Sequence, residues 1–354
     1  MSMFKTFEGK RVLVTGHTGF KGAWLVFLLR QLGAKVAGLS ISEPENGKHA
    51  YYALKISEGL LNADTAIGDV RSFDLYKKVL DEVQPDFVFH LAAQAIVSVS
   101  YKDPLDTVTT NVVGVANICD LLRTSPRKMT SIIVTSDKCY KNKERMEPYR
   151  EEEEMGGDDP YSASKGAAEL IYQSYQASYF NGMDLPVASV RAGNVFGGGD
   201  WSPNRLVPDC MRDLLGGGTV TIRMPKAVRP WTYVLDILVG YLQLAVQLDS
   251  DSATYRGSWN FASGETRTVQ EICDGMVETL GRGSVLVDAK DSFGKEAGLL
   301  LIDATKANSQ LGWEAHQDLE ASLRDTADWY DRQDKGEDML AYSAQYCANL
   351  LKGL

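Results

Sequence analysis

The sequence has few cysteines, no excess of basic residues and no long uninterrupted hydrophobic run. Its 354 residues include only five cysteines, which are odd in number, widely scattered and never at the spacing of metal ligands. Such cysteines are typical of a reduced, cytosolic protein and argue against a disulfide-stapled secreted domain. We therefore expect a cytoplasmic protein that holds no metal.

Charge and hydropathy argue against two further classes of partner. Acidic residues outnumber basic ones by 47 to 37, and the resulting net charge of −10 argues against nonspecific binding to nucleic acid or to an acidic membrane. The longest apolar stretch, residues 234–248, is interrupted by Asp236, Gln243 and Gln247. It predicts a buried helix and not a membrane span. We also expect no signal peptide before the first strand.

Short apolar runs alternate with helical patterns through the first half of the chain. We predict strands at residues 11–15, 35–39, 86–91, 131–135 and 186–191, and helices at residues 22–32, 111–122 and 162–180. Strands that are continuously apolar and alternate with helices indicate a parallel sheet covered on both faces. The predicted fold is therefore α/β, a doubly wound parallel sheet of the Rossmann type with a smaller C-terminal lobe.

A glycine-rich turn follows the first strand and precedes the first helix. Gly16, Gly19 and Gly22 follow the pattern G-x-x-G-x-x-G, and Phe20 and Lys21 lie within it. Glycines here permit a tight turn and let the backbone approach a pyrophosphate, to which the helix N-terminus offers N–H groups. The position in the first strand–helix unit predicts dinucleotide binding, whereas the glycines alone also fit a structural turn.

The residue that usually binds the cofactor ribose is missing. An acid is expected at the end of the second strand, but Ser40 stands there and the next acid is Glu43. No arginine follows to hold a 2′-phosphate, so this position does not choose between NAD and NADP. Asp69 and Val70 are predicted to contact the adenine, although a turn or helix cap also explains Asp69.

A tyrosine and a lysine stand four residues apart in the segment YSASK. Tyr161 and Lys165 at this spacing share one side of a helix. An ammonium beside a phenol favours the phenolate, so we expect the pKa of Tyr161 to fall toward neutrality and the residue to act as a base. The pair alone also fits a solvated helix face. The segment Thr135–Ser136–Asp137–Lys138, at the end of a predicted strand, makes the chemical interpretation stronger.

Motifs in a fixed order carry a family resemblance over nearly the whole chain. TGHTGFKG, HLAAQ, TSDKCY, YSASK and RAGNVFGGGDW resemble the motifs of extended short-chain dehydrogenase/reductases. Within that superfamily the chain resembles the nucleotide-sugar 4,6-dehydratases, above all those that act on CDP-glucose, because of TSDK, DPYSASK, GNVFGGGDW and RPWTYVLD. The resemblance implies an NAD-dependent lyase that converts CDP-glucose to its 4-keto-6-deoxy derivative and water, in deoxysugar and polysaccharide biosynthesis.

The resemblance also assigns residues to the cofactor. The expected NAD contacts are Gly16, Gly19, Phe20, Lys21, Gly22, Ser40, Asp69, Val70, Ala92, Ala93, Thr135, Tyr161 and Lys165. Such enzymes keep NAD bound, because the hydride that leaves the sugar returns to it. This favours NAD although the ribose-binding acid is absent.

Dehydration requires three further groups beside the Tyr161–Lys165 pair. Ser136 is expected to share the hydrogen bond to the C4 oxygen, and the resemblance gives Asp137 the role of acid at the C6 oxygen. The resemblance gives position 138 the role of base at C5, but the dTDP-glucose relatives have glutamate where this chain has lysine. We expect Lys138 to act as a neutral base that moves the C5 proton, which needs a strongly lowered pKa. The alternative is a cation that stabilises the enolate or the ionised Asp137.

Residues after 191 are expected to form most of the substrate site. Arginine forms bidentate pairs with phosphate oxygens, so basic residues are candidates for the diphosphate, and aromatic residues for the nucleobase. The predicted substrate contacts are Gln94, Asn194, Trp201, Arg205, Arg223, Arg229 and Tyr233, with Trp231 as a further aromatic candidate. We predict an NAD-binding domain of residues 1–190, to which residues 233–262 return, and a mainly substrate-binding domain of residues 191–354.

The resemblance further implies a homodimer, with a homotetramer as the alternative. Helices at residues 104–123 and 162–180 would form its surface, and Leu170, Ile171 and Tyr175 are compatible with that or with packing inside the monomer. Two other functions stay open. An epimerase or decarboxylase would use the same Tyr161–Lys165 pair, but it does not need Asp137 and Lys138. A non-catalytic dinucleotide sensor would not need the pair at all.

Overall fold

The structure is a computed structural model and describes residues 3–288 and 299–352. Its strands are β1 Arg11–Thr15, β2 Lys35–Leu39, β3 Phe87–His90, β4 Thr130–Val134, β5 Val187–Ala192, β6 Asn194–Phe196, β7 Thr219–Ile222, β8 Val228–Tyr233, β9 Gly257–Phe261, β10 Thr266–Thr268 and β11 Ser284–Val287. Its helices are α1 Phe20–Gln31, α2 Ala50–Ala53, α3 Phe73–Val83, α4 Val97–Lys102, α5 Pro104–Val108, α6 Gly114–Thr124, α7 Pro160–Tyr175, α8 Asn181–Met183, α9 Leu206–Leu215, α10 Val234–Ser250, α11 Ser252–Tyr255, α12 Val269–Leu280, α13 Leu319–Asp334 and α14 Met339–Lys352.

Six parallel strands form the main sheet, in the order β2-β1-β3-β4-β5-β9. Strands β3, β4 and β5 are buried along their whole length because helices cover both faces of the sheet. One core cluster includes residues of α1 and α10, and a second includes residues of α3, α6 and α7. The predicted doubly wound α/β fold is confirmed.

The C-terminal half contributes both to this sheet and to a second lobe. Strand β9 pairs with β5, and α10 packs against α1. The sheets β10-β8-β6 and β11-β7, together with α9, α12 and α13, lie outside the main sheet. The domain division at residue 190 stays a prediction, and β5 runs across that boundary. Among the described residues, no helix has the length and apolarity that a membrane span requires.

Two predicted helices are less regular than expected. The segments Thr109–Val113 and Gln176–Phe180 are π-helical, so each predicted helix combines a π turn with an α-helix. A π turn inserts an extra residue into the helical ladder and is frequent at functional sites. The first of these turns carries Asn111, whose contacts reach the helix of the Tyr161–Lys165 pair.

Candidate active site

The glycine turn has no room for side chains at two of its positions. Gly16 has a φ of +72°, and a Cβ atom there would lie 2.8 Å from the backbone nitrogen of Ala92. A Cβ atom at Gly22 would lie 2.0 Å from the carbonyl oxygen of Gly16. Gly19 is the N-cap residue of α1, and it has no side chain that could accept a hydrogen bond. The N–H groups in the first turn of α1 therefore face the glycine turn without an acceptor from the N-cap side chain. This cradle fits a dinucleotide pyrophosphate.

Ser40 ties the glycine turn to the end of β2. Its Oγ accepts the Thr18 N–H at 3.2 Å and lies 2.9 Å from Nδ1 of His17. Burial lowers the pKa of His17 to about 4, so the imidazole is neutral at pH 7. The next acid, Glu43, accepts hydrogen bonds from the hydroxyls of Tyr51 and Tyr52. The contact of Ser40 with a ribose stays a prediction.

Asp69 and Val70 lie near the carboxyl end of β2. Both carboxylate oxygens of Asp69 accept bonds from Arg71 at 2.8 Å, and these hydrogen bonds lower the pKa of Asp69. Val70 is buried, and a Cβ atom at Gly114 would lie 3.1 Å from its side chain. Asp69 keeps about a third of its side chain exposed, at 33%.

The segment after β3 reaches the glycine turn. Ala92 donates its N–H to Oγ1 of Thr15, at 3.1 Å, beside Gly16, and Ala93 follows it. Gln94 uses its amide within the protein: Nε2 donates to Thr107 at 2.7 Å and Oε1 accepts from Ile96 at 2.6 Å. A substrate contact of Gln94 would have to share these hydrogen-bonding groups.

The Tyr161–Lys165 pair lies buried at the start of α7. Asp159 caps this helix by accepting the Ser162 N–H at 2.9 Å. Lys165 Nζ lies 6.0 Å from the centroid of the Tyr161 ring. Burial raises the pKa of Tyr161 to about 12, although a hydrogen bond with Ser136 acts in the opposite direction.

The expected fall of the Tyr161 pKa is therefore wrong for the protein alone. Desolvation of the phenolate outweighs a lysine that is 6.0 Å from the ring. Lys165 is itself affected, since burial lowers its pKa to about 8, while the charges of Cys139 and Glu169 act to raise it.

Ser136, Asp137 and Lys138 form a 3₁₀ turn where β4 ends. Ser136 Oγ accepts the Lys138 N–H at 3.2 Å and donates to Oδ1 of Asp137 at 2.9 Å. Asp137 is buried, and burial raises the pKa of its carboxyl although Lys138, Ser136 and Arg229 favour the ionised form. Lys138 itself is half-buried. The turn thus presents a buried acid beside Tyr161.

Two basic residues from other elements approach this turn. Arg205, the N-cap of α9, donates to Oδ2 of the buried Asp200 at 2.8 Å, and its charge acts on Tyr161. Burial lowers the pKa of Lys21 to about 7, and the charges of Arg205 and Lys165 lower it further. The structure thus brings Lys21, Arg205, Lys165 and Asp137 into one electrostatic cluster.

The remaining candidate substrate residues differ in how open they are. Arg229 on β8 is half-buried, as is Asn194 on β6, while Arg223 is exposed after β7. Trp201 is buried and packs edge-to-face on Tyr330, with ring centroids 5.1 Å apart. Tyr233, like Trp231, is buried in the core of the second lobe. Stacking of these rings on a nucleobase stays a prediction.

Two residues that hold the catalytic helix received no role from the sequence. Glu169 lies one turn beyond Lys165 and accepts a bond from Thr135 at 2.5 Å. Asn111 donates to Oγ of Ser164 at 2.8 Å. The i, i+4 spacing after Lys165 was the available signal for Glu169. In residues 3–288 and 299–352, no group of three or more His, Cys, Asp or Glu side chains could hold a metal ion.

Comparisons with known proteins agree with this geometry. Residues 13–326 match the family described as GDP-mannose 4,6 dehydratase. Over 343 residues the chain is 39% identical to the CDP-glucose 4,6-dehydratase of Salmonella typhimurium, covering 95% of this chain and 94% of that protein. It is 29% identical to UDP-glucuronate 4-epimerase 1 of Arabidopsis thaliana, covering 91% of this chain and 77% of that one.

Solved structures share the fold. The dTDP-glucose 4,6-dehydratase of Bacillus anthracis, solved with NAD, superposes with a TM-score of 0.75 at 21% identity, covering 94% of this chain and 100% of the other. At this identity the likeness establishes the fold and leaves the chemistry to the site residues.

Proposed function

We propose that this chain, which belongs to the GDP-mannose 4,6 dehydratase family, converts CDP-glucose to CDP-4-keto-6-deoxyglucose and water. The observation that carries this proposal is Asp137, a buried carboxyl with a raised pKa beside the Tyr161–Lys165 pair. An epimerase needs only oxidation and reduction at a carbinol, so it has no use for an acid at this position. The 39% identity to the CDP-glucose 4,6-dehydratase of Salmonella typhimurium supports CDP-glucose as the substrate.

The glycine turn is the proposed NAD site. Gly16 and Gly22 leave space only for backbone, and the N-terminus of α1 offers N–H donors to phosphate. When bound there, NAD⁺ would supply a reversible hydride acceptor and a positive charge.

Tyr161 is the proposed base at the C4 hydroxyl. The Ser136 hydroxyl has one proton, which it donates to Asp137 in this structure. Donated to the phenolate instead, it stabilises the ionised form of Tyr161, and the charge of Arg205 acts in the same direction. Oxidation at C4 makes the C5 proton acidic. The acid that releases water from C6 must then lie on the same face of the sugar as Tyr161.

Asp137 is the proposed acid at the C6 oxygen. Its burial favours the protonated carboxyl, which can give its proton to the leaving hydroxyl. Lys138 and Arg229 oppose this by stabilising the carboxylate, and they make the same group able to take the proton back after the elimination.

Lys138 is either the C5 base or a cation that stabilises the enolate. Its charge already acts on Asp137, which favours the second role. We predict that Lys138→Met slows turnover but leaves exchange of the C5 hydrogen with solvent deuterium measurable. Loss of that exchange, with C4 oxidation intact, would assign the base to Lys138.

The proposed diphosphate contacts are Arg205, Arg223 and Arg229, with Asn194 at the sugar. Of these, Arg229 and Arg205 act electrostatically on the catalytic residues themselves, Asp137 and Tyr161 respectively. Arg223, which is exposed, is further out. We therefore expect the diphosphate at the mouth of the site and the glucose ring beneath it.

A homodimer is the proposed assembly, through α5, α6 and α7. Leu105 and Leu170 are 73% and 54% exposed on these helices, which is unusual for such large apolar side chains. Ile171 and Tyr175, in contrast, pack against the core of the same protomer. The proposed surface therefore excludes these two residues.

Substrate preference tests the proposed function. Purified protein with added NAD would receive CDP-, dTDP-, UDP- and GDP-linked hexoses in separate assays, and the 4-keto product would be followed by mass spectrometry. We expect the highest kcat/KM with CDP-glucose. A C4 epimer as the product of any of them, without loss of water, would contradict the proposal.

A further inference from the structure

One face of α7 carries three buried ionisable side chains in succession. Tyr161, Lys165 and Glu169 stand at positions i, i+4 and i+8, so they lie one above another along the helix. Glu169 is completely buried, with no exposed surface. A carboxyl is almost never found there without a specific partner or a role.

Glu169 connects α7 to the end of β4 and to strands β5 and β9. Its Oε1 accepts from Oγ1 of Thr135 at 2.5 Å, directly before the catalytic turn. Its Oε2 accepts from Arg191 at 2.7 Å, Ser189 at 3.0 Å and Ser258 at 3.3 Å. Every oxygen of this carboxylate is therefore occupied, and α7 cannot shift without breaking several hydrogen bonds.

The carboxylate is ionised in spite of its burial. Burial acts to raise its pKa, but the charge of Arg191 and the hydrogen bonds of Arg191, Thr135 and Ser189 together leave the pKa lowered. Arg191 is in turn held by bonds to the Tyr140 hydroxyl at 2.7 Å and to the carbonyl of Glu151 at 2.9 Å. The ion pair of Arg191 with Glu169 is therefore fixed to strand β5.

Lys165 depends on this negative charge. The ionisable groups whose charges interact with it are Cys139, Glu169, Lys21 and His90, besides Tyr161 at 6.0 Å. Burial raises the pKa of the Cys139 thiol well above its usual value and lowers that of His90 to about 3, so both are neutral. Glu169 is then the anion that favours the charged ammonium of Lys165.

We propose that Glu169 is a positioning residue of the reaction, which keeps Lys165 a cation beside Tyr161 and anchors Thr135 so that Ser136 and Asp137 meet the substrate. The kinetic part of this inference rests on the proposed function. The electrostatic part concerns the protein alone, so the two can fail separately.

Titration of Lys165 tests the electrostatic part. In protein labelled with ¹³C at the lysine ε carbons, the Lys165 signal is assigned by its absence from Lys165→Met. We expect Glu169→Gln to move the Lys165 midpoint down by about one pH unit, because the favourable charge is lost. Glu169→Asp keeps the negative charge, so its Lys165 midpoint should lie close to that of the parent protein.

Turnover tests the positioning part. We expect Glu169→Gln to lower kcat with CDP-glucose at least tenfold and to leave its KM within about twofold, because Glu169 does not touch the substrate. The matched control is Asp236→Asn, which alters another buried carboxylate, bonded to His316. It should leave both the Lys165 midpoint and kcat unchanged.

The inference fails if Glu169→Gln is folded and keeps the Lys165 midpoint and kcat of the parent. It also fails if kcat falls equally in Asp236→Asn while Lys165 titrates as before, which would indicate a general folding role. If Glu169→Gln does not fold because Arg191 is left unpaired, the double variant Glu169→Gln with Arg191→Met takes its place, with the same expected shift. Absence of turnover in the parent protein would count against the proposed function only.

Discussion

At the scale of single residues, burial decides the chemistry of the site more than pairwise charge does. The sequence places Tyr161 and Lys165 side by side, and from that spacing alone the phenol should become more acidic. The structure shows the opposite, because both groups are desolvated and the pKa of Tyr161 rises to about 12. Spacing along a helix can be read from a sequence, but the solvent exposure of a helix face depends on which elements cover it.

The same reasoning makes Asp137 the most informative residue to change. Asp137→Asn cannot donate a proton to the C6 oxygen, so we expect dehydration to fall by about 10²- to 10⁴-fold. C4 oxidation should remain, and NADH absorbance should accumulate in place of product. The matched control is Asp158→Asn, at a carboxylate that is 87% exposed, and it should retain full turnover.

Full turnover by Asp137→Asn would remove the acid role from this residue. A parallel loss of C4 oxidation and dehydration would instead indicate that Asp137 only shapes the turn around Ser136.

At the scale of elements, the first five strands were predictable, whereas strands β6 to β11 and the helix details were not. The strands at 11–15 and 35–39 were predicted to the residue, because a buried strand leaves a continuous apolar run with turns at both ends. The π turns at 109–113 and 176–180 have no such signature. Each π turn inserts one extra residue and so changes the direction in which side chains such as Asn111 point. A hydrophobic pattern with a period of 3.6 residues cannot predict this change.

The glycine turn gives the sharpest prediction at this scale. Gly22→Ala would force a Cβ atom to within 2.0 Å of the Gly16 carbonyl, so α1 must move away from the turn. We expect weaker NAD binding by at least tenfold and a lower melting temperature, as seen by intrinsic fluorescence titration and thermal unfolding.

Gly182→Ala is the matched control for this substitution. It also replaces a helical glycine, but an added Cβ there meets nothing within 4 Å. It should bind NAD as the parent does and unfold at the same or a slightly higher temperature. Equal NAD affinity in the two variants would contradict the proposed cradle.

At the scale of the whole molecule, both halves of the chain contribute to the main sheet. Strand β9 and helix α10 come from the C-terminal half, yet β9 is the outer neighbour of β5 and α10 packs on α1. The sequence suggested this return through the apolar character of residues 234–248, but no local pattern indicates which edge of a sheet a late strand will join.

The proposed dimer can be tested at one exposed position. Leu170→Glu places a charge on the surface of α7, where the parent has a leucine that is 54% exposed. We expect the protein to become monomeric in sedimentation velocity, because burying an unpaired carboxylate in an interface is unfavourable. Met146→Glu, at a methionine that is 74% exposed and belongs to none of these helices, should leave the assembly unchanged. An unaltered assembly in Leu170→Glu would place the interface elsewhere.

The central claim is a dehydration that uses a hydride internally, and one assay tests it most directly. The parent protein would be incubated with CDP-glucose and NAD while product mass and NADH absorbance are followed together. The proposed dehydration predicts a product that is lighter than CDP-glucose by one water, with no accumulation of NADH. An unchanged mass, or NADH formed in proportion to the substrate consumed, would contradict it.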